Sequence, residues 1–329
     1  MKEMIVPAAA DGKRLDRFLA SELPALPMGL RQKFLRLKRF RVNGKVAQGD
    51  LRLNAGDTLN LYIGDEYFVK PRKVDPFLSK IHPKLDILFE NDQILIVDKR
   101  PGLVAHPDES EKVHTLITYA QAYLYQKHEF DSMNPESFRP ALVNRIDRFT
   151  GGIVLMAKTQ DALDRLTAAV RNREIEKRYL CAVHGSLRPQ SGMFDNYILK
   201  NTRRVTVLDA PQKDAQRAQT RYQTLCVRDG LSLMECELLT GRTHQIRAQF
   251  AHAKHPLLGD GQYGDAKRDA RYHRSYQALY AYQVSFAFQK DAGALNDLNG
   301  RTFRVPEVSF AREYFDFSLE NLPQPDEKR

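Results

Sequence analysis

Three separated segments of the sequence carry side chains that could do chemistry, and the first is centred on a carboxylate. Asp147 stands between Arg145 and Arg148, and Thr150-Gly151-Gly152 follows before a run of apolar residues. Neighbouring cations favour the ionised form of a carboxylate, which can serve as a nucleophile. Two adjacent glycines indicate an unusual backbone conformation or the close approach of a ligand. Taken alone, this segment fits a structural ion pair in a loop equally well.

The second segment is a strand that contains a tyrosine. Tyr179, Cys181 and Val183 alternate with Leu180 and Ala182, which predicts a strand buried on both faces. A tyrosine on such a strand is usually a core residue whose hydroxyl has a hydrogen-bond partner. On this segment alone, the core interpretation of Tyr179 is favoured over a catalytic one.

The third segment joins the end of a strand to a helix. The strand ends at Thr240-Gly241, and Thr243 can cap the helix that follows. In that helix His244 and Arg247 are three positions apart and share a face. A helix N-terminus that carries Arg242 and His244 suits an anion or a carboxylate. An ordinary charged surface helix is the alternative.

Length, composition and charge bound the class of protein. The 329 residues, 42% of them apolar and 28% charged, suffice for one large domain and a smaller one. The formal net charge of +10 favours a polyanionic partner, with a merely basic protein as an equal alternative. Three cysteines without a C-x-x-C pair fit a reducing compartment. Because no stretch resembles a signal peptide or a bilayer-spanning helix, we expect a cytoplasmic protein without membrane contact.

Residues 1–65 have the pattern of a small module. Apolar side chains at helical spacing predict two short helices, one with Leu15, Phe18 and Leu19 and the other with Leu30, Phe34 and Leu37. Asn43-Gly44 predicts a hairpin, because both central residues of a type I′ turn need positive φ. Residues 58–63 alternate as a strand.

Basic residues are concentrated at the second of these helices. Seven lie between Arg31 and Lys45 without an acidic residue among them. The second helix accounts for Arg31, Lys33, Arg36, Lys38 and Arg39. The repulsion between so many like charges is costly unless phosphates neutralise them. The pattern therefore favours nucleic-acid binding over a solvated helix face.

The rest of the chain divides into a linker, a large domain and a tail. Residues 66–84 contain three prolines, each of which disfavours helix at the residue before it, so we predict a linker there. We expect the large domain to extend over 85–320 and a disordered tail to cover 321–329. Within the domain the pattern predicts strands at 86–90, 94–99 and 153–157 and helices near 113–127 and 160–172.

Together the three segments resemble the RluA-type pseudouridine synthases. The family signature H-R-L-D-x-x-T-S-G is similar to N-R-I-D-R-F-T-G-G at 144–152, and the family's Lys/Arg-x-Tyr strand is similar to K-R-Y at 177–179. The motif T-G-R-T-H-Q-I-R followed by H-P-L-L-G-D is matched at 240–247 and 255–260, and K-P-x-G-L-x-V-H is matched loosely at 99–106. The basic helix–helix–hairpin module in front is similar to the S4 RNA-binding module.

The resemblance implies a fold and a reaction. The fold would be α+β, with a mixed, largely antiparallel central sheet flanked by helices and loops, and a small N-terminal α/β module of S4 type. The reaction would be the isomerisation of uridine to pseudouridine in RNA, and it needs no cofactor and no metal. Asp147 would be the nucleophile that attacks the ribose at C1′, with attack on the base at C6 as the older alternative.

The resemblance also implies roles for other residues. The target uridine would leave its helix, and Arg145 would fill the vacated space. Tyr179 would pack against the flipped base and is the candidate for removing the C5 proton, although a phenol with a pKa of about 10 is a poor base. Arg247 would pair with Asp147, and Arg242 and His244 would contact RNA.

Two positions depart from the family signature, and several alternatives stay open. Asn144 replaces the usual His and Gly151 the usual Ser. Neither position is the nucleophile, so we expect activity to survive. Large-subunit rRNA is the favoured substrate of a monomeric enzyme. The alternatives are a tRNA substrate, a non-catalytic ribosome-assembly factor on the same fold, or a glycoside hydrolase, which would need two facing carboxylates.

Two further patterns are not interpreted as cofactor or metal sites. Gly259–Gly264 matches G-x-G-x-x-G, but the strand and helix that a dinucleotide site requires are not predicted around it. His252 and His255 lack the spacing of metal ligands.

Overall fold

The computed structural model describes residues 1–68, 74–201 and 204–322. The chain divides into two compact units, Met1–Val74 and Asp75–Arg329. Each unit buries its own set of apolar side chains. The two units are therefore described separately.

The first unit combines a small antiparallel sheet with short helices. Its strands are β1 (Lys2–Ile5), β2 (Phe40–Val42), β3 (Lys45–Val46) and β4 (Thr58–Leu61), and its α-helices are α1 (Leu15–Glu22) and α2 (Met28–Arg36). The strand order is β1-β4-β2-β3. Leu15, Phe18 and Leu19 on α1 are buried in the core of this unit, as their spacing predicts.

The predicted hairpin and second helix are both present, and the helix is shorter than expected. The turn between β2 and β3 has positive φ at Asn43 (48°) and Gly44 (76°), as a type I′ turn requires. Helix α2 ends at Arg36, and Lys38 adopts a φ of 59°, so the chain leaves the helix there. Lys38 and Arg39 thus lie beyond the helix in which the sequence pattern places them, and Leu37 is exposed.

The second unit is built on one mixed sheet. Its strands are β5 (Asp86–Glu90), β6 (Ile94–Lys99), β7 (Ala141–Leu142), β8 (Gly151–Ala157), β9 (Ile175–His184), β10 (Ser191–Lys200), β11 (Val205–Leu208), β12 (Gln216–Arg228), β13 (Leu231–Leu238), β14 (Leu279–Phe286) and β15 (Thr302–Arg304). Its α-helices are α3 (Leu116–Gln126), α4 (Gln160–Arg171), α5 (Gln245–His252), α6 (Ala266–Asp269) and α7 (Ser309–Phe315). None of the helices in the described residues is long and apolar enough to cross a membrane.

The pairing of the strands confirms a largely antiparallel sheet. The order is β11-β10-β12-β13-β9-β14-β8-β6-β5, with β15 on β14 and β7 on β8. Among the strands of the described residues, only β14 and β8 pair in parallel, through Tyr280 with Gly151 and Ala281 with Gly152. The α+β fold expected from the resemblance is therefore confirmed, and the parallel contact lies directly after the Asp147 segment.

Side chains on β9 alternate between two hydrophobic cores. Leu180 and Ala182 belong to a core that includes side chains of α4 and α7. Tyr179 and Val183 belong to a core that includes side chains of α3 and α5. Both faces of β9 are covered, as the sequence predicts. Tyr179 and the helix that carries Arg247 therefore lie on the same face of the sheet.

Part of the predicted linker folds with the second unit. Leu78 and Ile81 are buried in the core beside α3, and the side-chain amide of Gln126 donates to their carbonyls at 3.4 and 2.8 Å. The prediction of a linker over 75–84 is wrong, because a proline disfavours helix at the residue before it but does not prevent nearby apolar side chains from packing. Residues 69–73 of the predicted linker lie outside the described residues.

The predicted tail over 321–329 is only partly covered by the structure. Residues 323–329 lie outside the described residues. Leu322, at the start of the predicted tail, is buried in the core that contains α4 and α7. The prediction of disorder is therefore wrong at this residue, because an apolar side chain packs against that core.

Candidate active site

Asp147 lies in the loop that leads into β8. Its neighbour Ile146 is buried, whereas 27% of the Asp147 side chain is exposed. The N–H of Thr150 donates to the Asp147 carbonyl at 3.1 Å and closes a tight turn. A partly exposed carboxylate on a closed turn is accessible to a ligand and fixed in direction.

Lys99, at the end of β6, stabilises this loop through hydrogen bonds to backbone carbonyls. The buried Nζ donates to the carbonyls of Leu103 (2.9 Å), Arg148 (3.0 Å) and Arg100 (3.2 Å). Three carbonyl acceptors engage all three hydrogens of an ammonium group. The N–H of Gly102 also donates to the Arg148 carbonyl at 2.8 Å. The backbone immediately after Asp147 is thus held by the segment that follows β6.

The two glycines after Thr150 allow β8 to pass close to β14. A Cβ on Gly152, whose φ is +110°, would lie 2.2 Å from the carbonyl oxygen of Ala281. A Cβ on Gly151 would lie 2.2 Å from the ring of Tyr280. The close approach of strand β14 explains the pair of glycines. The ring of Tyr280 also explains the absence of the serine that is usual at Gly151.

Asn144, the other departure from the family signature, has a structural contact. Its Oδ1 accepts a hydrogen bond from the N–H of Leu155 at 2.8 Å, and its Nδ2 donates to the Ile153 carbonyl at 3.4 Å. The N–H of Val143 donates to the Leu155 carbonyl at 2.8 Å, and the Asn144 amide continues these hydrogen bonds to β8 beyond the end of β7. These contacts are with β8 rather than with Asp147, so Asn144 anchors the start of the loop.

Helix α5 begins differently from the sequence prediction. The residue before it is His244, which adopts a left-handed conformation with a φ of 53° and provides no side-chain cap, so the prediction of a cap at Thr243 is wrong. The buried side chain of Gln245 instead fixes the turn before the helix against β12. Its four hydrogen-bond partners are the Arg242 N–H (3.0 Å), the Thr240 hydroxyl (2.8 Å), the Gln219 carbonyl (3.0 Å) and the Thr220 hydroxyl (2.8 Å).

Arg247 on α5 joins Asp147 to a second carboxylate, Asp260. Its Nη1 donates to Oδ2 of Asp147 at 2.7 Å. Its Nε and Nη2 donate to Oδ2 and Oδ1 of Asp260 at 2.7 and 2.9 Å. The Asp260 side chain is 0% exposed. The structure thus brings together Arg247 and Asp147 as expected, and it adds a buried carboxylate that fixes the arginine.

The charges in this group support one another. Burial raises the pKa of Asp260, but the hydrogen bonds and charge of Arg247 outweigh burial and hold that pKa below its usual value. Burial lowers the pKa of Arg247, but Asp260 and Asp147 outweigh it and raise the pKa overall. Arg247 and Asp260 are therefore both charged at neutral pH.

His244 approaches the other oxygen of Asp147. The distance from its Nε2 to Oδ1 of Asp147 is 3.8 Å, and its Nδ1 lies 2.9 Å from the Tyr263 hydroxyl. That hydroxyl accepts a hydrogen bond from the Val205 N–H at 2.9 Å, so its own proton can be donated to Nδ1. Burial lowers the pKa of His244. The Tyr263 hydroxyl thus fixes the Nδ1 side of the imidazole, and the Nε2 side faces Asp147.

Tyr179 is buried beside the carboxylate. Burial, and then the negative charge of Asp147, raise the pKa of the Tyr179 phenol. Within the residues that the structure describes, its hydroxyl makes no hydrogen bond and its oxygen is accessible to solvent, whereas the hydroxyl of an ordinary core tyrosine has a partner. Its position therefore fits a residue that packs against a ligand better than a base.

The arginines around the site differ in how they are held. Arg148 donates from Nε to the Gly102 carbonyl (3.2 Å) and from Nη1 to the Ser110 hydroxyl (2.9 Å). Arg242 donates from Nε to the Arg217 carbonyl at 3.1 Å. Arg145 is exposed, and it makes no hydrogen bond or ion pair with the described part of the chain. Its guanidinium is thus available for a ligand.

The basic residues from Arg31 to Arg39 are of two kinds. Arg31 is partly buried: its Nη2 donates to the Leu26 carbonyl at 3.1 Å, and its Nε is buried without a partner among the described residues. The exposed ones are Lys33, Arg36, Lys38 and Arg39. Arg31 therefore has a structural contact, and a role in RNA binding falls mainly to the other four.

Comparison with known proteins decides the family. The sequence profile described as RNA pseudouridylate synthase matches residues 93–252. An uncharacterized RNA pseudouridine synthase of Mycoplasma genitalium is 32% identical over 293 residues, which is 86% of this chain and 88% of that protein. The chain belongs to the RNA pseudouridine synthases. The resemblance found in the motifs is confirmed, and the chain is an isomerase that converts uridine to pseudouridine in RNA.

Two further relatives of this pseudouridine synthase are informative. Ribosomal large subunit pseudouridine synthase C of Salmonella typhimurium is 30% identical over 273 residues, covering 80% of this chain and 81% of that protein. The solved structure of human RNA pseudouridylate synthase domain containing 1 has a TM-score of 0.50 at 20% identity, covering 63% of this chain and 80% of that one. The latter likeness concerns the fold.

Sequence reasoning did not assign two residues of the pseudouridine synthase site. Asp260 ends the H-P-L-L-G-D motif, and Lys99 opens the segment K-R-P-G-L-V-A-H. Their burial is the feature that distinguishes them from ordinary charged residues. The signal in the sequence was an ionisable residue placed among apolar residues and glycine.

Proposed function

We propose that this pseudouridine synthase isomerises uridine in large-subunit ribosomal RNA with Asp147 as its nucleophile. The observation that carries the proposal is the orientation of this carboxylate. Oδ2 of Asp147 accepts a hydrogen bond from Arg247 at 2.7 Å, while Oδ1 has no hydrogen bond within the described ranges and lies 3.8 Å from His244. One oxygen is therefore fixed by the protein and the other is free to react.

The reaction can be written with this free oxygen. Oδ1 attacks ribose C1′, the C1′–N1 bond breaks, and its electron pair leaves with the uracil. The base turns within the site, C5 bonds to C1′, and the carboxylate leaves with the electrons of its bond to C1′. Loss of the C5 proton and gain of a proton at N1 complete the isomerisation without a net change in atoms or charge. Attack of Asp147 on C6 of the base is the alternative.

Two neighbours of Asp147 have roles in exposing and holding the base. Arg145 is exposed and unpaired in the described part of the chain, so its planar guanidinium can enter the space that the uridine leaves. Tyr179 is buried near Asp147, and its ring can pack against the turned base. Because its pKa is raised, we assign to Tyr179 this packing role rather than removal of the C5 proton.

Two observations support a ribosomal RNA substrate. A relative with 30% identity is named ribosomal large subunit pseudouridine synthase C. The first unit resembles an S4 module and carries the exposed cations Lys33, Arg36, Lys38 and Arg39. A cationic surface of this kind neutralises phosphates of an RNA. A tRNA substrate is the alternative, and a monomeric state and a cytoplasmic location belong to the same proposal.

The rival functions need features that this site does not offer. A glycoside hydrolase uses two carboxylates that both face the sugar, whereas Asp260 is 0% exposed and is neutralised by Arg247. A non-catalytic assembly factor would have no need for a carboxylate held at 2.7 Å by an arginine that is itself fixed on its other side. Both observations favour catalysis at Asp147.

The test is conversion of uridine by purified protein. Ribosomal RNA and tRNA from cells that lack this protein are incubated with wild type, with Asp147→Asn and with Asp164→Asn, an exposed control on α4, and pseudouridines are mapped. Wild type and the control should modify the same uridine in large-subunit RNA, and Asp147→Asn should bind that RNA without modifying it. Modification by Asp147→Asn would contradict the nucleophile, and modification of tRNA alone would contradict the substrate.

A further inference from the structure

An exposed aromatic ring lies two residues after Asp147. Phe149 is 44% exposed, and Tyr276 stacks on it with ring centroids 6.0 Å apart and an interplanar angle of 20°. This geometry falls within the range of offset stacking. A single exposed apolar side chain needs no explanation, but here a second ring, from a distant segment, holds the first in one orientation.

A cation accompanies each ring of this pair. The guanidinium carbon of Arg148 lies 5.6 Å from the centroid of Phe149, and that of Arg274 lies 4.8 Å from the centroid of Tyr276. Both arginines are held in place, since Arg148 donates to Gly102 and Ser110 and Arg274 donates to the Tyr276 carbonyl at 3.0 Å. Arg148 thus places a positive charge beside the exposed ring. Arg274 has a side chain that is only 9% exposed and lies 4.0 Å from Glu313, so it supports Tyr276 from the protein side.

This combination is what a single-stranded nucleotide requires. A base stacks on an aromatic ring, while its phosphate is attracted by a nearby cation. Two residues span at most about 7 Å of extended chain, so a base on Phe149 and a ribose at Asp147 can belong to directly bonded nucleotides. When the target uridine leaves its helix, its neighbour loses a stacking partner, and Phe149 can replace that partner.

We propose that Phe149, supported by Tyr276, is a subsite that stacks the nucleobase adjacent to the target uridine. This inference rests on the proposed function, because it takes the ribose at Asp147 to be that of the target. The ligand is a nucleobase of the same RNA strand. Since every base has a π-face, the subsite tolerates any base and gains most from a purine, whose ring surface is larger.

The test combines a change in the protein with a change in the RNA. The probe is an RNA hairpin copied around the uridine that wild type modifies in ribosomal RNA, with the nucleotide on its 5′ or 3′ side made abasic. For wild type, the abasic change on one side should lower the single-turnover rate at subsaturating RNA by about 5- to 150-fold, the range of one base–aromatic stack. For Phe149→Ala the same abasic change should lower this rate by less than about 2-fold, because the stack is already absent.

Two control variants and a spectroscopic signal separate stacking from stability. Phe149→Trp keeps the stack and should behave as wild type. Phe77→Ala, at a ring that is 48% exposed in another segment, should keep the full sensitivity to the abasic nucleotide. With 2-aminopurine at the same position, binding to wild type should quench fluorescence, and binding to Phe149→Ala should not.

The outcomes distinguish this inference from the proposed function. If wild type forms no pseudouridine in ribosomal RNA, the proposed function fails first. Wild type could instead form pseudouridine, while an abasic nucleotide on either side of the target uridine lowers the rates of wild type and Phe149→Ala by the same factor. In that case the subsite is wrong and the proposed function stands.

Discussion

Arg247 holds Asp147 with one nitrogen and Asp260 with the other two. The distances are 2.7 Å to Asp147 and 2.7 and 2.9 Å to Asp260. Asp260 is buried, whereas Asp147 is partly exposed in a loop. The buried carboxylate fixes the orientation of Arg247, and Arg247 in turn fixes the orientation of Asp147. The rigid planar fork of a guanidinium suits this task. Because buried ion pairs add little net stability, we infer that the arrangement serves orientation.

Asp260→Asn should destabilise the protein and slow the reaction together. The change leaves a buried arginine with one carboxylate fewer and places an N–H group against it. Changing one partner of a buried ion pair costs about 3–5 kcal/mol, and the free energy of unfolding should fall by that order. Urea denaturation and single-turnover rates on one preparation measure both effects.

A nearby aspartate supplies the control for this prediction. Asp265 is exposed in the same segment and its carboxylate accepts hydrogen bonds from the first N–H groups of α6. Asparagine caps helices as well as aspartate, so Asp265→Asn should change the free energy of unfolding by less than about 0.5 kcal/mol. Equal stability of Asp260→Asn and wild type would contradict the role given to Asp260.

Arg247→Lys should slow isomerisation without weakening RNA binding. Lysine keeps the charge but has a single nitrogen in place of the fork that reaches two carboxylates. The loss of charge-assisted hydrogen bonds, worth about 1.5–3 kcal/mol, predicts a rate at saturating RNA that is roughly 10- to 150-fold lower. Arg165→Lys, at an arginine on α4 that pairs with Asp161 outside the site, is the control and should retain the rate. A wild-type rate in Arg247→Lys would rule out the orienting role.

Gly151→Ser should restore the usual family residue and yet destabilise this protein. The new Cβ would lie 2.2 Å from the Tyr280 ring, and such overpacking costs about 1–3 kcal/mol. In a Tyr280→Ala background the ring is gone, so the same serine should cost less than about 0.5 kcal/mol. Tyr280→Phe keeps the ring and should keep the full cost. Urea denaturation of these variants gives the free energies of unfolding for a double-mutant cycle. If the effects of Gly151→Ser and Tyr280→Ala on that free energy were additive, Tyr280 would not be the reason for the glycine.

Local patterns identified most elements of the fold but not the contacts that orient them. The sequence predicts strands at 86–90 and 94–99 with the bounds that β5 and β6 have, because alternation and turn residues are local signals. At Thr243 the same kind of reasoning is wrong. The start of α5 is determined by Gln245, whose partners on β12 are 25 or more residues away in sequence.

The sequence predicts only part of the candidate site, because some of its contacts also join residues that are distant in the sequence. The motifs identify Asp147 and Arg247 as candidates, and in the structure these two residues form a hydrogen bond although they are 100 positions apart in the sequence. The apolar residues and glycines around Asp260 do not reveal its role, because that role depends on Arg247, 13 positions away in the sequence. Phe149 also has no local mark, because only the fold places Tyr276 against it. Residues whose role depends on a distant partner are those that the sequence alone leaves out.

Neutralising the exposed cations at α2 should weaken RNA binding and flatten its dependence on salt. Lys33, Arg36 and Arg39 changed together to Gln remove three exposed positive charges, whereas Arg31 is left intact because it contacts the Leu26 carbonyl. Each phosphate contact contributes about 0.7 to the slope of log binding constant against log salt for single-stranded RNA, so three lost contacts should reduce the slope by about 2. Binding to ribosomal RNA fragments measured at several salt concentrations gives this slope.

A triple change of Lys2, Lys13 and Arg52 to Gln removes the same charge elsewhere in the first unit and should leave the slope closer to wild type. Equal slopes for the two triple variants would mean that α2 is not an RNA-binding surface.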